Sequence, residues 1–271
     1  MRASDFVLTL AQRRAWREDG FFVLEQFAAP AVLDAICAQV IDTVRADPPQ
    51  AHPDTRAYVT NGLLVTLEGQ PRMDENLPEG RISKVFNPHL AGAAAAFASA
   101  AAVVNRVAAL YDNADVDVFQ SQFIFKNPGA WGQPWHQDSY YFRFDRQPQI
   151  GVWLALSEAT LENGCLAVLP GSHRLPIVEH VPDARPGANY GYLEIVGQDF
   201  SAARPLLMRP GDVLFFHSYL MHRSFDNRAR SQRMAMVYHY ARTGTRLLPE
   251  VSKAARAIMH FRTVFRTVQR S

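Results

Sequence analysis

The sequence predicts a mainly β protein with flanking α-helices, a sandwich or barrel decorated by helices at its N-terminal end. Two observations carry this. From Val116 onward short β-type runs recur: Val116 to Phe125, Ile150 to Leu156, Leu166 to Leu169, Val213 to Tyr219 and Met234 to Tyr240. Turn residues separate them, among them Asn127-Pro-Gly129, Glu162-Asn-Gly164, Pro170-Gly171 and Arg209-Pro-Gly-Asp212. Before Val116 helical spacing dominates. The 271 residues show no break in composition, so 1–271 reads as one domain: a helical part over 1–115, a β core over 116–245 and an extension over 246–271.

Taken in order, a short helix is expected around Leu10 to Asp19, followed by the apolar run Gly20-Phe-Phe-Val-Leu24 of strand type. A second helix begins at Pro30, which suits the first helical position. Val32, Leu33, Ile36, Cys37, Val40, Ile41 and Val44 then recur at helical spacing and give it one apolar face. Cys37 is therefore a packing residue. Residues 45 to 80 carry Pro48, Pro49, Pro53, Pro71 and Pro78 with little periodicity, and predict an irregular segment, a lid able to cover a site. A third helix is expected from about Leu90 to Tyr111, with Val103, Val104, Val107 and Leu110 facing inward.

Composition excludes several classes. Hydrophobic residues at 48% and charged residues at 20% exclude a disordered chain. Lys+Arg 28 against Asp+Glu 26, with no long basic run, gives no footprint for nucleic acid. No run approaches the roughly 18 apolar residues of a membrane span. Cys37 and Cys165 stand alone, without a disulfide framework or thiolate site, and the N-terminus shows no signal-peptide segment, so a cytoplasmic location is expected. GxGxxG, GxxxxGK[ST] and GxSxG are absent, which leaves dinucleotide, P-loop and serine-hydrolase readings without their parts.

The sharpest local feature is Trp135-His-Gln-Asp138, followed by Tyr140-Tyr-Phe-Arg-Phe144. On a strand, His136 and Asp138 would point to one face and Gln137 to the other. A distant histidine would complete a two-histidine, one-carboxylate facial triad, whose open positions suit non-haem Fe(II) acting on O2. His217 and His222 are the candidates, and five residues apart they face opposite sides of one strand. His222 has the better company. Ser224 lies just beyond it, and a loop from Asp226 to Ser231 is expected to return as a hairpin carrying Arg233, whose guanidinium suits a dicarboxylate.

His136-Gln-Asp138, Gly151-Val-Trp153-Leu-Ala-Leu156, Glu162-Asn-Gly-Cys-Leu166, Leu169-Pro-Gly-Ser-His173, Arg209-Pro-Gly-Asp212, His222-Arg-Ser224 and Arg233 occur in an order that resembles the phytanoyl-CoA dioxygenase family of Fe(II)- and 2-oxoglutarate-dependent oxygenases. Glu18-Asp-Gly-Phe-Phe-Val-Leu24 is similar to that family's start. The resemblance implies a double-stranded β-helix (jelly-roll, cupin-like) core with the N-terminal helices packed on its larger sheet. It implies iron ligation by His136, Asp138 and His222, and capture of the distal carboxylate of 2-oxoglutarate by Arg233 with Ser224 beside it. Trp153, Gln122 and Lys84 fall where the family's other co-substrate contacts lie. The reaction implied consumes O2 and 2-oxoglutarate and releases succinate and CO2. Hydroxylation is favoured over halogenation because Asp138 keeps the carboxylate that related halogenases replace with a small residue.

Tyr140, Tyr141, Phe142 and Phe144 read as sheet packing, with Tyr141 and Arg143 able to reach a pocket. Trp135 is placed near its entrance and Asn61 to Thr66 on the opposite wall. The substrate expected is a small or mid-sized metabolite, in preference to an acyl-CoA, because no lysine cluster awaits a nucleotide phosphate. Desaturation, cyclisation and epimerisation stay open, as do a cupin-like metal protein without oxygenase activity and a non-catalytic binding module.

Overall fold

The computed structural model describes residues 8–48, 56–69, 77–189 and 191–249, together with the backbone of 262–264. Helix α1 (Leu10–Glu18) begins at Thr9, whose hydroxyl accepts from the backbone N–H of Gln12 while the Gln12 side chain accepts from that of Thr9. This reciprocal cap satisfies two donors at the helix start. Strand β1 (Phe21–Leu24) and helix α2 (Pro30–Ala46) follow as expected, the helix burying Leu33, Ile36, Val40 and Val44.

The single helix expected over 90–111 is two, α3 (Gly92–Ala98) and α4 (Ala101–Leu110), meeting at 44°. Ser99 ends the first by turning its hydroxyl back onto the carbonyl of Ala95 at 2.8 Å, a bond that competes with helix continuation. Among the described residues no single helix is long and apolar enough to cross a membrane. The α3–α4 pair passes such a test by length and composition, but Phe97, Val103, Val104 and Val107 are buried in the core beneath it.

The N-terminal part is not only helical: β2 (Ala57–Thr60) and β3 (Leu63–Leu67), within the segment expected to be irregular, and β4 (Ile82–Phe86), just beyond it, join the sheet. The rest of that expected lid, 49–55 and 70–76 with Pro49, Pro53 and Pro71, lies outside the described residues. Asn61 and Gly62, both at positive φ, make the two-residue turn between β2 and β3. That dipeptide is the strongest short hairpin signal in a sequence.

The remaining strands are β5 (Val116–Lys126), β6 (Ile150–Ala155), β7 (Leu166–Val168), β8 (His180–Pro182), β9 (Leu193–Ile195), β10 (Arg204–Leu206), β11 (Val213–His217), β12 (His222–Ser224), β13 (Arg233–Arg242) and β14 (Arg262–Val264). A large antiparallel sheet runs β1-β11-β6-β13-β5-β4-β3-β2, with β14 on β5. A small sheet runs β10-β7-β12, and β8 pairs with β9. This is the jelly roll. Its geometry follows from period-2 alternation. On β6, Ile150, Val152 and Leu154 meet the helices, while Trp153 and Ala155 face the small sheet; on β13, Met236, Tyr238 and Tyr240 meet the helices, while Ala235 and Val237 turn inward. A register shift beside Phe119 lets Val116 and Val118 share the helix side with Phe123 and Phe125 despite the change of parity.

Gly151 marks a close approach. It pairs with Phe216 across β6 and β11, and a Cβ added there would lie 2.1 Å from the Phe216 ring. Phe216 in turn packs edge-on against His222. Gly151→Ala is expected to destabilise the protein by about 1–3 kcal/mol through overpacking, measured as a lower urea midpoint at unchanged m-value.

Candidate metal centre

His136 and His222 come together as backbone partners. Each donates its N–H to the other's carbonyl, at 2.9 and 3.0 Å, in an isolated antiparallel bridge that closes one end of the small sheet. Such a pair holds side chains on one face, and the two imidazoles stand 4.1 Å apart. The Nδ1 of His136 lies 2.7 Å from the carbonyl of Pro134, and that of His222 lies 2.9 Å from Leu220. A carbonyl only accepts, so each Nδ1 carries the hydrogen and each Nε2 presents a lone pair.

Both Nε2 atoms face Asp138 Oδ1, at 3.6 and 3.7 Å. Asp138 does not share a strand with His136, as the alternation argument supposed. It opens the single helical turn α5 (Asp138–Tyr141), which aims its carboxylate back at the imidazole. Gln137 does point away, and it anchors the turn: its backbone N–H donates to His180, and its side chain bonds the backbone of Pro176, Val178 and Tyr219. Burial alone would raise the Asp138 carboxyl, but His222, His136 and His239 outweigh it and hold the group well below the usual carboxylate range. Burial and the neighbouring His136 push His222 down to about 4. The three ligand atoms lie within 4.8 Å of one another, all on buried residues. A carboxylate, two oriented lone pairs and tied outer nitrogens are what a divalent metal requires.

His217 points elsewhere. Its ring sits 5.7 Å from Trp16 and 5.3 Å from His173, on the α1 side.

A cavity of about 280 Å³ opens from the triad between the two sheets. Arg233 also lines it at 1% exposure, with its guanidinium 5.5 Å from the Trp153 ring. Its Nε and Nη1 have no hydrogen-bond partner among the described residues. Burial lowers its pKa to about 10, so it stays charged at neutral pH. The predicted hairpin is not what brings it there. Strand β12 pairs with β7 in the small sheet and β13 with β5 and β6 in the large one, so the intervening loop crosses between sheets. Arg233 and Ser224 thus reach the same cavity from different sheets.

The hydroxyl of Ser224 accepts from Lys126 Nζ at 3.1 Å and from the backbone N–H of Gln133 at 3.0 Å. With both acceptor positions used, its own hydrogen is left to donate into the cavity. Lys84 lines the same space, donating to Gln133 Oε1 at 3.0 Å, and burial pushes it down to about 8. Gln122 lines it too and donates to Gln120.

Of the residues expected to meet substrate, Tyr141 lines the cavity, and its hydroxyl accepts from Leu193 N–H. The other three do not. Arg143 lies beyond the α5 turn, exposed and folded over Tyr140. Trp135 packs away from the cavity with Ala167 and Met221, stacked on Phe200 at 4.3 Å. Asn61 is spent in its turn, donating to Thr43; Leu64 and Thr66, beyond it on β3, do reach the wall. Tyr140 to Phe144 belong to a turn and loop, not a strand, and Phe142 packs on Phe119 and lines the cavity.

The phytanoyl-CoA dioxygenase family model matches residues 16–235. The chain belongs to the phytanoyl-CoA dioxygenase family. Among curated relatives, the peroxisomal phytanoyl-CoA dioxygenase of Bos taurus is 27% identical over 250 residues, covering 87% of this chain and 69% of that protein. Phytanoyl-CoA dioxygenase 1 of Oryza sativa subsp. japonica is 37% identical over 131 residues, 45% of this chain. That match spans 43% of the rice protein's own length.

Two solved structures establish the fold. EvdO2 from Micromonospora carbonacea var. aurantiaca, complexed with 2-oxoglutarate, superposes with a TM-score of 0.65 at 20% identity over 91% of this chain and 96% of its own. The epimerase SnoN, in complex with Fe3+, alpha ketoglutarate and nogalamycin RO, gives 0.66 at 14% identity over 90% and 88%.

Proposed function

We propose that this protein is a non-haem Fe(II)- and 2-oxoglutarate-dependent dioxygenase that hydroxylates an aliphatic C–H of a small or mid-sized metabolite, releasing succinate and CO2. The observation that carries this reading is one cavity lined both by the His136–Asp138–His222 triad and by the buried guanidinium of Arg233, whose Nε and Nη1 have no hydrogen-bond partner among the described residues. When bound, the iron and its 2-oxo acid supply the oxidising power. The protein supplies the geometry. His136, Asp138 and His222 hold the metal by three donors on one side; Arg233 and Ser224 grip the distal carboxylate; Lys84 adds a second positive charge, and Trp153 and Gln122 pack along the co-substrate.

Beside the triad the lining includes Leu64, Phe86, Tyr141 and Phe142, relieved by Gln120, whose amide nitrogen has no partner among the described residues. Asp138 is the one acidic residue lining this cavity among the described residues. That lining favours a neutral substrate portion beside the iron. Both cysteines are free thiols, in keeping with a cytoplasmic setting.

The test is an anaerobic titration of metal-free protein with Fe(II) and then 2-oxoglutarate, following the visible charge-transfer band of the chelate. A saturable band that candidate metabolites perturb supports the oxygenase. A folded protein that binds metal yet ignores 2-oxoglutarate is the cupin-like alternative, for which Arg233 has no use.

The same titration reports on Lys84. Its pKa of about 8 means that the free protein loses this charge as pH rises through 8, whereas a bound dianion favours the charged form. Co-substrate affinity should therefore fall from pH 7 to pH 9, by up to about tenfold per pH unit above 8. A flat profile would remove Lys84 from the co-substrate site.

A further inference from the structure

The two oxygens of Asp138 have different surroundings. Oδ1 faces the Nε2 atoms of His136 and His222, whereas Oδ2 lies 3.1 Å from Nε2 of His239. His239 is 3% exposed and lies on the inward face of β13, six residues beyond Arg233. An ionised carboxylate only accepts, so Nε2 of His239 carries the hydrogen. Its Nδ1 has no hydrogen-bond partner among the described residues. The ring is surrounded instead by Phe142 and Phe119, with centroids 4.8 and 6.0 Å away.

Packing alone gives no reason for an imidazole here. An apolar ring would fill the place without leaving a buried nitrogen unsatisfied. Among the described residues, the one polar contact of its side chain is with Asp138.

We propose that His239 is a positioning residue for the metal centre, holding Asp138 Oδ2 so that the carboxylate offers the metal a single oxygen. This rests on the reading of the site as an Fe(II)/2-oxoglutarate centre. Held that way, the protein would offer the metal three donors, two imidazoles and one carboxylate oxygen. A carboxylate free to swing both oxygens onto the metal would offer a fourth and leave less room for a 2-oxo acid.

The test uses metal-free full-length protein titrated anaerobically with Fe(II) and then 2-oxoglutarate, comparing wild type with His239→Leu, His239→Asn and His239→Gln. Outer partners of metal ligands are worth about 10–100-fold in affinity. Leu, which has no donor, and Asn, whose amide falls short of Oδ2, should lose Fe(II) affinity by about that factor and give a weakened or shifted chelate band. Gln places an N–H where Nε2 stood and should restore most of both. The Asn and Gln pair differs by one methylene, so a merely structural role would not separate them, and it carries the comparison if Leu does not fold. Wild-type affinity and band in folded Leu or Asn protein would overturn the proposal while leaving the oxygenase reading intact. Absence of any band in wild type would sink both.

Discussion

Asp138→Ala protein should show no Fe(II)-dependent turnover of 2-oxoglutarate, and His136→Ala should behave alike. The substitution removes one of three donors and the charge that offsets the metal's. Because even residues behind metal ligands cost about 10–100-fold when lost, loss of a ligand itself should cost more than about 100-fold in Fe(II) affinity. Succinate formation coupled to Fe(II) titration reads both quantities. Protonation does not complicate the comparison near neutrality. His222, pushed down to about 4, is unprotonated there, and protons compete with metal for it only as pH falls towards that value. Retained turnover in both variants would refute the ligand assignment.

The sequence made the triad legible because its residues are chemically scarce types at readable spacings. Their proximity does not come from strand alternation. His136 and Asp138 meet through a helical turn, and His222 reaches them by a backbone bridge that no local pattern announces. Ser224 and Arg233 were expected together, yet the loop between them changes sheets, a long-range fact outside any window of the sequence.

Other features were present but unread. Period 2 counted from Arg233 passes through Ala235 and Val237 to His239, and period 2 counted back from Lys126 passes through Ile124 and Gln122 to Gln120; five of these line the cavity besides Arg233 and Lys126 themselves: Val237, His239, Ile124, Gln122 and Gln120. Asn61-Gly62 announced a hairpin. What composition could not announce is how Asn189, Gly191 and Tyr192, between β8 and β9, come to line the site. There Asn189 ties their connecting loop to Glu68, Ser83 and Gly69, contacts 106 to 121 residues apart in the chain.

The Arg233→Met variant should separate co-substrate binding from metal binding, with two effects of opposite sign. In the ligand-free protein, Arg233 is a buried cation whose Nε and Nη1 lack partners among the described residues. Its surroundings do little to compensate. Burial and Arg233 itself hold Lys126 well below the usual lysine range, Lys84 brings no negative charge, and burial raises Glu68 to about 7, so that carboxyl is only partly ionised at neutral pH. An unpaired buried charge opposes folding, and replacement of buried ionic groups by packed apolar ones is neutral or stabilising by about 1–4 kcal/mol. The Met variant should therefore melt at the same or a higher temperature than wild type when 2-oxoglutarate is absent. Adding 2-oxoglutarate reverses the order. Wild type gains stability as the ligand binds the folded state, about 2.7 kcal/mol at a hundred times Kd. The variant lacks the group that pairs with the distal carboxylate, and truncating one partner of a buried charge pair costs roughly 2–5 kcal/mol, about 30-fold to several thousand-fold in Kd. Fe(II) affinity should be unchanged, since none of the three ligands touches Arg233. A thermal melt with and without 2-oxoglutarate, beside an Fe(II) titration, measures all three quantities. Unchanged 2-oxoglutarate affinity would remove Arg233 from the co-substrate site and, with it, the reason to read the cavity as an oxygenase's.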